Sequence, residues 1–403
     1  MNVLKIKHNA PTVRVLMVVP QYPYPIVGGL ERQSHELSKA LIELGVEVQV
    51  LSGKTQEDQS KVEYVEGVLV HRLLWPKNKW LRFIRSPFDI LRLLFKERHS
   101  YDVIHLHQYS WFGLFVIMAA RLIRKPILTK LPNDGVYGLP GVAKSRLGWI
   151  KIAIFKLTNA VVAMTKASLT ELNDIGFPLK QVLFTPNGIK LVEDDTPAAQ
   201  QETNLELCKI VCVGTLREQK GLVDLLYAWK KLVYNTKQTI QLELWGDGPL
   251  EFELKALCTE LSITESVIFR GYVELVRQKL KDMDIFVLAS LGEGNSNAIL
   301  EAMAASLPIA STRVGGASIQ VGPIGDRFLV EVGDQHGLYN CLKELVENTK
   351  LRRDLGAAMH ERILSHFEIH RVAESYITAY SHLARGEFDL IGRINSNYYS
   401  ELN

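Results

Sequence analysis

Short runs of aliphatic and β-branched residues recur along this chain, separated by stretches of helical period, and no other feature restricts its fold as tightly. Residues 13–20 form such a run and end in Pro20, the pattern of a strand buried on both faces of a parallel sheet. Residues 30–44 then carry Leu30, Ser34, Leu37, Leu41 and Leu44 on one helical stripe, closed by Gly45. Runs at 46–51, 103–107, 126–131, 160–164 and 182–185 continue the strands. That rhythm predicts a parallel sheet with helical crossovers. It breaks at 185–201, where Pro186, Asn187, Gly188, three acidic residues and Pro197 mark a linker. It restarts with runs at 210–214, 240–245, 267–269, 285–289 and 308–311.

The expected fold class is therefore α/β with two doubly wound domains, since 403 residues exceed what one hydrophobic core usually serves. The domains are read as 1–186 and 187–371, followed by a helical segment 372–403. In such sheets ligands bind outside the carboxyl ends of the strands, so two facing domains place the site in the cleft between them.

Apolar content of 47% with 23% charged residues is that of an ordinary globular protein. Cys208, Cys212, Cys258 and Cys341 have no metal-ligand spacing, and Cys208 and Cys212, which flank an expected strand, read as core thiols. No secretory leader is read at the N-terminus, and the most apolar stretch, 111–120, is cut by Arg121 short of a membrane span. A cytoplasmic protein is expected. Charge is divided unevenly: 25 basic against 14 acidic residues in 1–186, and 22 against 30 in 187–403. The surplus is densest in 75–98, where seven basic and two acidic residues interleave with Trp75, Trp80, Phe83, Phe88 and Phe95. This reads either as a solvated helix face with aromatic anchors, or as a surface resting on anionic lipid, on the cytoplasmic face of a membrane. Nucleic acid is not expected, because no recognition motif accompanies the charge.

Three βα loops carry chemistry. Gly28 and Gly29 lead into the first helix, where a missing side chain lets a ligand approach backbone N–H groups; a plain tight turn has the same sequence. Lys220 precedes a helix of the second domain and reads as a solvated surface residue or as a point charge for a diphosphate. The third loop runs Glu293, Gly294, Asn295, Ser296, Asn297 into an Ala-rich helix bearing Glu301, with Ser296 or Asn297 as N-cap. Its N–H groups and helix dipole favour an anion. Glu301 is placed to accept from a vicinal diol such as a ribose, and Glu293 from hydroxyls of a transferred group. A capped helix with two solvated glutamates fits the same residues. Asp282 and Asp284 spell Asp-x-Asp, a metal-binding pattern, but precede a buried strand and read as a helix-to-strand turn.

Two glutamates seven residues apart inside Glu-Gly-Asn-Ser-Asn-Ala-Ile-Leu-Glu-Ala-Met-Ala, followed by Pro308 and Val314-Gly-Gly, resemble the donor-site signature of glycosyltransferase family 4. The Gly28-Gly29 pair, Asp102-Val-Ile-His-Leu-His107, Pro186-Asn-Gly-Ile189, residues 213–221 and Gly246-Asp-Gly-Pro249 follow that family's order over nearly the whole chain. The resemblance implies a GT-B fold, retaining transfer from a nucleoside diphosphate sugar to an acceptor, and no metal or other cofactor; the basic first domain fits a saccharide or lipid-linked acceptor. It also implies a C-terminal helix crossing back onto the first domain. By the same resemblance Glu301 holds the ribose and Glu293 the donor sugar. Lys220 and the backbone of Gly294, Asn295, Ser296 and Asn297 take the diphosphate, and Gly28 and Gly29 close over it. His107 points into the cleft near the reacting sugar, with Lys130, Asn133 and Asp134 on the acceptor side. The chain departs from the family at Thr215, where arginine is usual, with Arg217 as a substitute from the same loop. Ser306, Ala289 and the segment 130–135 depart as well. A nucleotide-sugar epimerase and a silent membrane-associated nucleotide-sugar-binding protein are the rival readings.

Overall fold

The computed structural model describes residues 13–23, 28–54, 56, 59–75, 78–191 and 207–394, without the side chains of 79–83. Residues 24–27 of the first βα loop, most of the 185–201 linker, part of the 75–98 basic stretch, with Trp80 and Phe83, and the final residues 395–403 lie outside that description.

Every apolar run read as a strand is one. The first sheet contains β1 (Arg14–Val18), β2 (Glu47–Lys54), β3 (Val62–Val65), β4 (Val68–Leu74), β5 (Val103–Leu106), β6 (Ile127–Lys130), β7 (Ala160–Ala163) and β8 (Val182–Phe184). Their spatial order is β3-β4-β2-β1-β5-β6-β7-β8, parallel except for the antiparallel β3–β4 pair at the edge. The second sheet contains β9 (Leu207–Val213), β10 (Thr239–Trp245), β11 (Val267–Gly271), β12 (Ile285–Leu288), β13 (Ile309–Thr312) and β14 (Leu329–Val330). Its order is β11-β10-β9-β12-β13-β14, parallel throughout. Residues of β1, β5, β6 and β7 are buried on both faces, which is why their sequences do not alternate. The sequence reading missed β3, β4 and β14. The β3 strand alternates half-buried with exposed residues at a sheet edge, and β14 has two residues, so neither offers a continuous apolar run.

Helices fill the crossovers of the first domain: α1 (Gly29–Glu43), α2 (Lys79–Lys96), α3 (Trp111–Leu122), α4 (Leu139–Lys144), α5 (Gly148–Phe155) and α6 (Lys166–Asp174). In the second they are α7 (Leu222–Asn235), α8 (Glu251–Glu260), α9 (Val276–Leu280), α10 (Asn297–Ala304), α11 (Ala317–Gly325), α12 (Gln335–Glu347) and α13 (Thr349–His366). The last helix, α14 (Ile369–Arg385), packs on α1 and β5 of the first domain. Val372, Ala373, Tyr376, Ala379, Tyr380 and Leu383 are buried there. Each fully buried large side chain contributes about 1.5–3 kcal/mol, so the apolar stripe of α14 suffices to anchor it. Tyr380 Oη lies 2.7 Å from His105 Nδ1.

The chain passes between the domains at two points that lie side by side. Ile189 N–H donates to the Phe367 carbonyl at 2.8 Å, and Ile369 N–H donates to the Ile189 carbonyl at 3.0 Å. Gly188 is required here, because a Cβ would sit 2.8 Å from the Ile369 side chain and 2.9 Å from its Cα. Among the described residues no helix is long and apolar enough to cross a membrane. All four cysteines are free and buried.

Candidate active site

A cavity of about 550 Å³ opens between the carboxyl ends of the two sheets. The first domain lines it with Gly28, Gly29, Arg32, Gln108, Lys130 and Asn133, and the second with Thr215, Arg217, Lys220, Trp245, Tyr272 and residues 293–298 and 301. Most residues expected to form the donor site therefore meet in one place.

Lys220 is delivered by strand β9 and a short 3-10 turn, Glu218–Lys220, ahead of α7. Gly221 starts that helix with φ +59°, and a Cβ there would fall 1.9 Å from the Ala289 carbonyl oxygen. Glycine thus lets α7 and β12 approach closely enough to bring Lys220 and Glu293 together. Lys220 Nζ lies 2.5 Å from Glu293 Oε1, which also accepts from Ser290 Oγ at 2.8 Å. Both side chains are largely shielded, 20% and 14% exposed. Ser296 is the N-cap of α10 but makes no capping side-chain bond, so the first N–H groups of that helix are left for a ligand.

Glu301 sits one turn into α10, only 9% exposed, and receives a hydrogen bond from Arg32 Nη1 of α1. Burial pushes its carboxyl above the ordinary range, and the Arg32 guanidinium opposes that shift. Arg32 was not anticipated from sequence. The available signal was its place in the first turn of the helix that Gly28 and Gly29 introduce.

A second unanticipated residue is Asn187. Its Oδ1 accepts from Lys130 Nζ at 2.7 Å, and its Nδ2 donates to the Asn295 carbonyl at 3.0 Å and to Asn297 Oδ1 at 2.8 Å. Asn297 Nδ2 donates in turn to the Gly29 carbonyl at 2.7 Å. One side chain of the linker thus joins the end of β6 to the loop before α10 and, through Asn297, to the start of α1. In the sequence, Pro-Asn-Gly shows only a turn. Lys130 is almost fully buried, and burial pushes its ammonium down to about 7.

Two expectations are corrected. His107 is not among the residues that line the cavity. It is fully buried, its ring centroid 4.0 Å from that of His105, and desolvation holds both imidazoles well below the usual histidine range. Side chains two apart on a strand share a face, so His107 follows His105 toward the α14 side, and the neighbouring Gln108 reaches the cavity. Asp134 does not line the cavity either. Its carboxylate accepts from Thr165 Oγ1 at 2.6 Å and from Ser168 Oγ, fastening the 130–135 segment to the start of α6. Asn133 does line the cavity, and it forms an isolated β-bridge with Gly294 across the domains. Asp284 accepts from the Lys209 N–H at 2.8 Å, so it positions the start of β9. Among the described residues no group of three or more His, Cys, Asp or Glu could hold a metal ion.

Comparison with known proteins accords with this geometry. The model for Glycosyltransferase Family 4 matches residues 27–193, and the model for Glycosyl transferases group 1 matches residues 208–348. The chain is 28% identical over 378 residues to the N-acetyl-alpha-D-glucosaminyl L-malate synthase of Bacillus anthracis, covering 90% of this chain and 96% of that protein. It is 32% identical over 283 residues to a Campylobacter jejuni enzyme, covering 69% of this chain and 76% of the relative. That relative is the N-acetylgalactosamine-N,N'-diacetylbacillosaminyl-diphospho-undecaprenol 4-alpha-N-acetylgalactosaminyltransferase. Among solved structures, Anabaena HepE in complex with UDP-glucose superposes with a TM-score of 0.71 at 18% identity, covering 91% of this chain and 98% of that one. Two facing parallel-sheet domains, one matched by each family model, make this chain a GT-B glycosyltransferase, and it belongs to glycosyltransferase family 4.

Proposed function

We propose that the chain moves a sugar from a nucleoside diphosphate sugar to an acceptor hydroxyl with retention of configuration, in the biosynthesis of a polysaccharide, glycolipid or other glycoconjugate, and that it needs no metal ion. The observation that carries this reading is the convergence of Lys220, Glu293, the open N-terminus of α10 and Glu301 in one cavity facing Gly28 and Gly29. Glu301 accepts from the ribose hydroxyls. The diphosphate takes Lys220 from Glu293, and Glu293 is then free to hold a hydroxyl of the donor sugar. The acceptor oxygen attacks the anomeric carbon on the face the diphosphate leaves, and its proton passes to a phosphate oxygen of the donor. The C–O bond breaks with its electron pair on the diphosphate, where Lys220 and the α10 dipole stabilise the new charge. Closure of the two domains excludes water and favours transfer over hydrolysis.

The Glu301 assignment is tested by titrating wild type and Glu301→Ala with the nucleoside diphosphate that gives the largest thermal shift in a panel. Hydrogen bonds to a charged group are worth about 1.5–3 kcal/mol, so the substitution is expected to weaken binding roughly ten- to hundredfold. Equal affinities would refute the ribose role.

A lipid-linked acceptor is part of the same proposal, since the Campylobacter relative is named for a diphospho-undecaprenol acceptor. Ile84, Phe88 and Phe95 are exposed along α2 beside exposed Arg85, Arg92 and Lys96, and Leu122 of α3 extends the apolar strip. Phe88 alone is 71% exposed. Such a face suits an anionic bilayer surface on the side where nucleotide sugars are made: each basic residue adds about 1 kcal/mol there and each inserted aromatic side chain somewhat more. Replacing Phe88, Arg92, Phe95 and Lys96 with serine is expected to lower binding to phosphatidylglycerol vesicles by more than tenfold while leaving nucleotide affinity unchanged. Undiminished vesicle binding would remove the membrane from the account.

A further inference from the structure

The first turns of α1 and α10 meet across the cleft on two successive rungs. On the first, Asn297 Nδ2 bonds the Gly29 carbonyl. On the second, Arg32 bonds Glu301. Positions three or four apart on a helix share a face, so the spacings 29–32 and 297–301 bring the two rungs into line. A Cβ on Gly29 would come 2.9 Å from Asn297 Nδ2, so a side chain there would oblige the Asn297 amide to shift. Glu301 is nearly enclosed, whereas Arg32 keeps 33% of its side chain exposed. The pair also forms part of the wall between the main cavity and an adjoining one of about 330 Å³, since both residues line both.

The carboxylate that the ribose is to use is thus already occupied by a cation from the opposite domain. A buried carboxylate needs a partner at every stage, and a vicinal diol supplies one without adding charge. A guanidinium displaced by the diol is left in a cavity that has just received one negative charge on each of two phosphates. Lys220 answers one of these charges. Thr215, standing where the family's arginine is usual, answers none, and Arg217 is exposed, so water screens it more strongly. Arg32 starts from the helix whose first residues close over the same cavity.

We infer that Arg32 is the second cation for the leaving diphosphate, held on Glu301 in the empty enzyme and handed to the diphosphate when the ribose takes its place. This rests on the ribose role proposed for Glu301.

Exchange makes a prediction that a merely structural ion pair does not. In Arg32→Ala the nucleoside no longer has to displace the guanidinium, while the diphosphate loses a contact. The experiment uses the full chain and compares UDP with uridine, or the GDP, ADP or dTDP pair if that nucleotide gives the larger thermal shift. Affinities are measured for wild type, Arg32→Ala, Arg32→Lys and Arg217→Ala, with circular dichroism to establish folding. Arg32→Ala is expected to bind the nucleoside at least as tightly as wild type and to lower the diphosphate-to-nucleoside affinity ratio tenfold or more. Arg32→Lys should restore part of the ratio, and Arg217→Ala should change it less. A ratio unchanged in Arg32→Ala overturns the inference while leaving the glycosyltransferase reading intact. Unaltered nucleoside affinity in Glu301→Ala removes the ribose role itself, and the exchange with it.

Discussion

Replacing Lys220 with methionine lowers kcat by about 10²–10³-fold, with a much smaller change in the affinity for the donor. The amine is largely shielded and already paired with Glu293, so the isolated enzyme draws modest benefit from it. Its contribution grows as the C–O bond breaks and charge collects on the diphosphate, which is the condition for acting on kcat more than on KM. Methionine keeps the length and packing of the side chain and removes only the charge. Steady-state kinetics with the accepted donor provide the check. A variant with full kcat would show that the leaving group is stabilised by the α10 terminus and other cations alone.

The second large effect falls on a residue with no side chain. A Cβ on Gly294 would lie 1.8 Å from the Pro132 carbonyl oxygen, and Gly294 also bridges to Asn133 of the first domain. Its own carbonyl accepts from the Gly316 N–H at 2.6 Å, so the loop is held from behind and cannot retreat freely. Gly294→Ala therefore pushes the two domains apart or moves the loop that presents Asn295, Ser296 and Asn297. A displacement of about 1 Å at reacting groups costs roughly 10²-fold in rate, and kcat/KM is expected to fall by at least that much. One buried apolar cluster, with Leu131 and Phe184 of the first domain and Leu216 and Ile299 of the second, spans the two domains, so forcing them apart should lower thermal stability as well. A Gly294→Ala enzyme with ordinary kinetics would mean that the closed contact between Pro132 and Gly294 is not used in catalysis.

Strands buried on both faces of the sheets were legible because a continuous apolar run has few other uses, as β1, β7 and β12 illustrate. The gathering of Glu293, Lys220 and Glu301 around one cavity was legible as well. Glu293, Lys220 and Glu301 sit at the ends of elements whose order the sequence sets out, and a strand–loop–helix unit fixes where such ends point. Residues whose placement depends on a distant partner were not. Asp134 has an acidic side chain beside two cleft residues, but it turns to Thr165 and Ser168, more than thirty positions away. His107 was misplaced by one position of strand alternation, which decides between the cleft and the α14 side and leaves Gln108 at the surface of the cavity. Arg32 and Asn187 gain their meaning only when two domains close on each other, and neither local propensity nor spacing encodes that contact.

On the proposed function, this cleft transfers a sugar and keeps its anomeric configuration. Both are tested most directly by incubating the enzyme with an α-linked nucleoside diphosphate sugar that stabilises it, with and without a hydroxyl acceptor, and following the anomeric proton by NMR. An α-linked product is expected, formed only when acceptor is present, with one nucleoside diphosphate released per bond made. A β-linked product would contradict retention, and an epimerised sugar appearing without acceptor would contradict transfer itself.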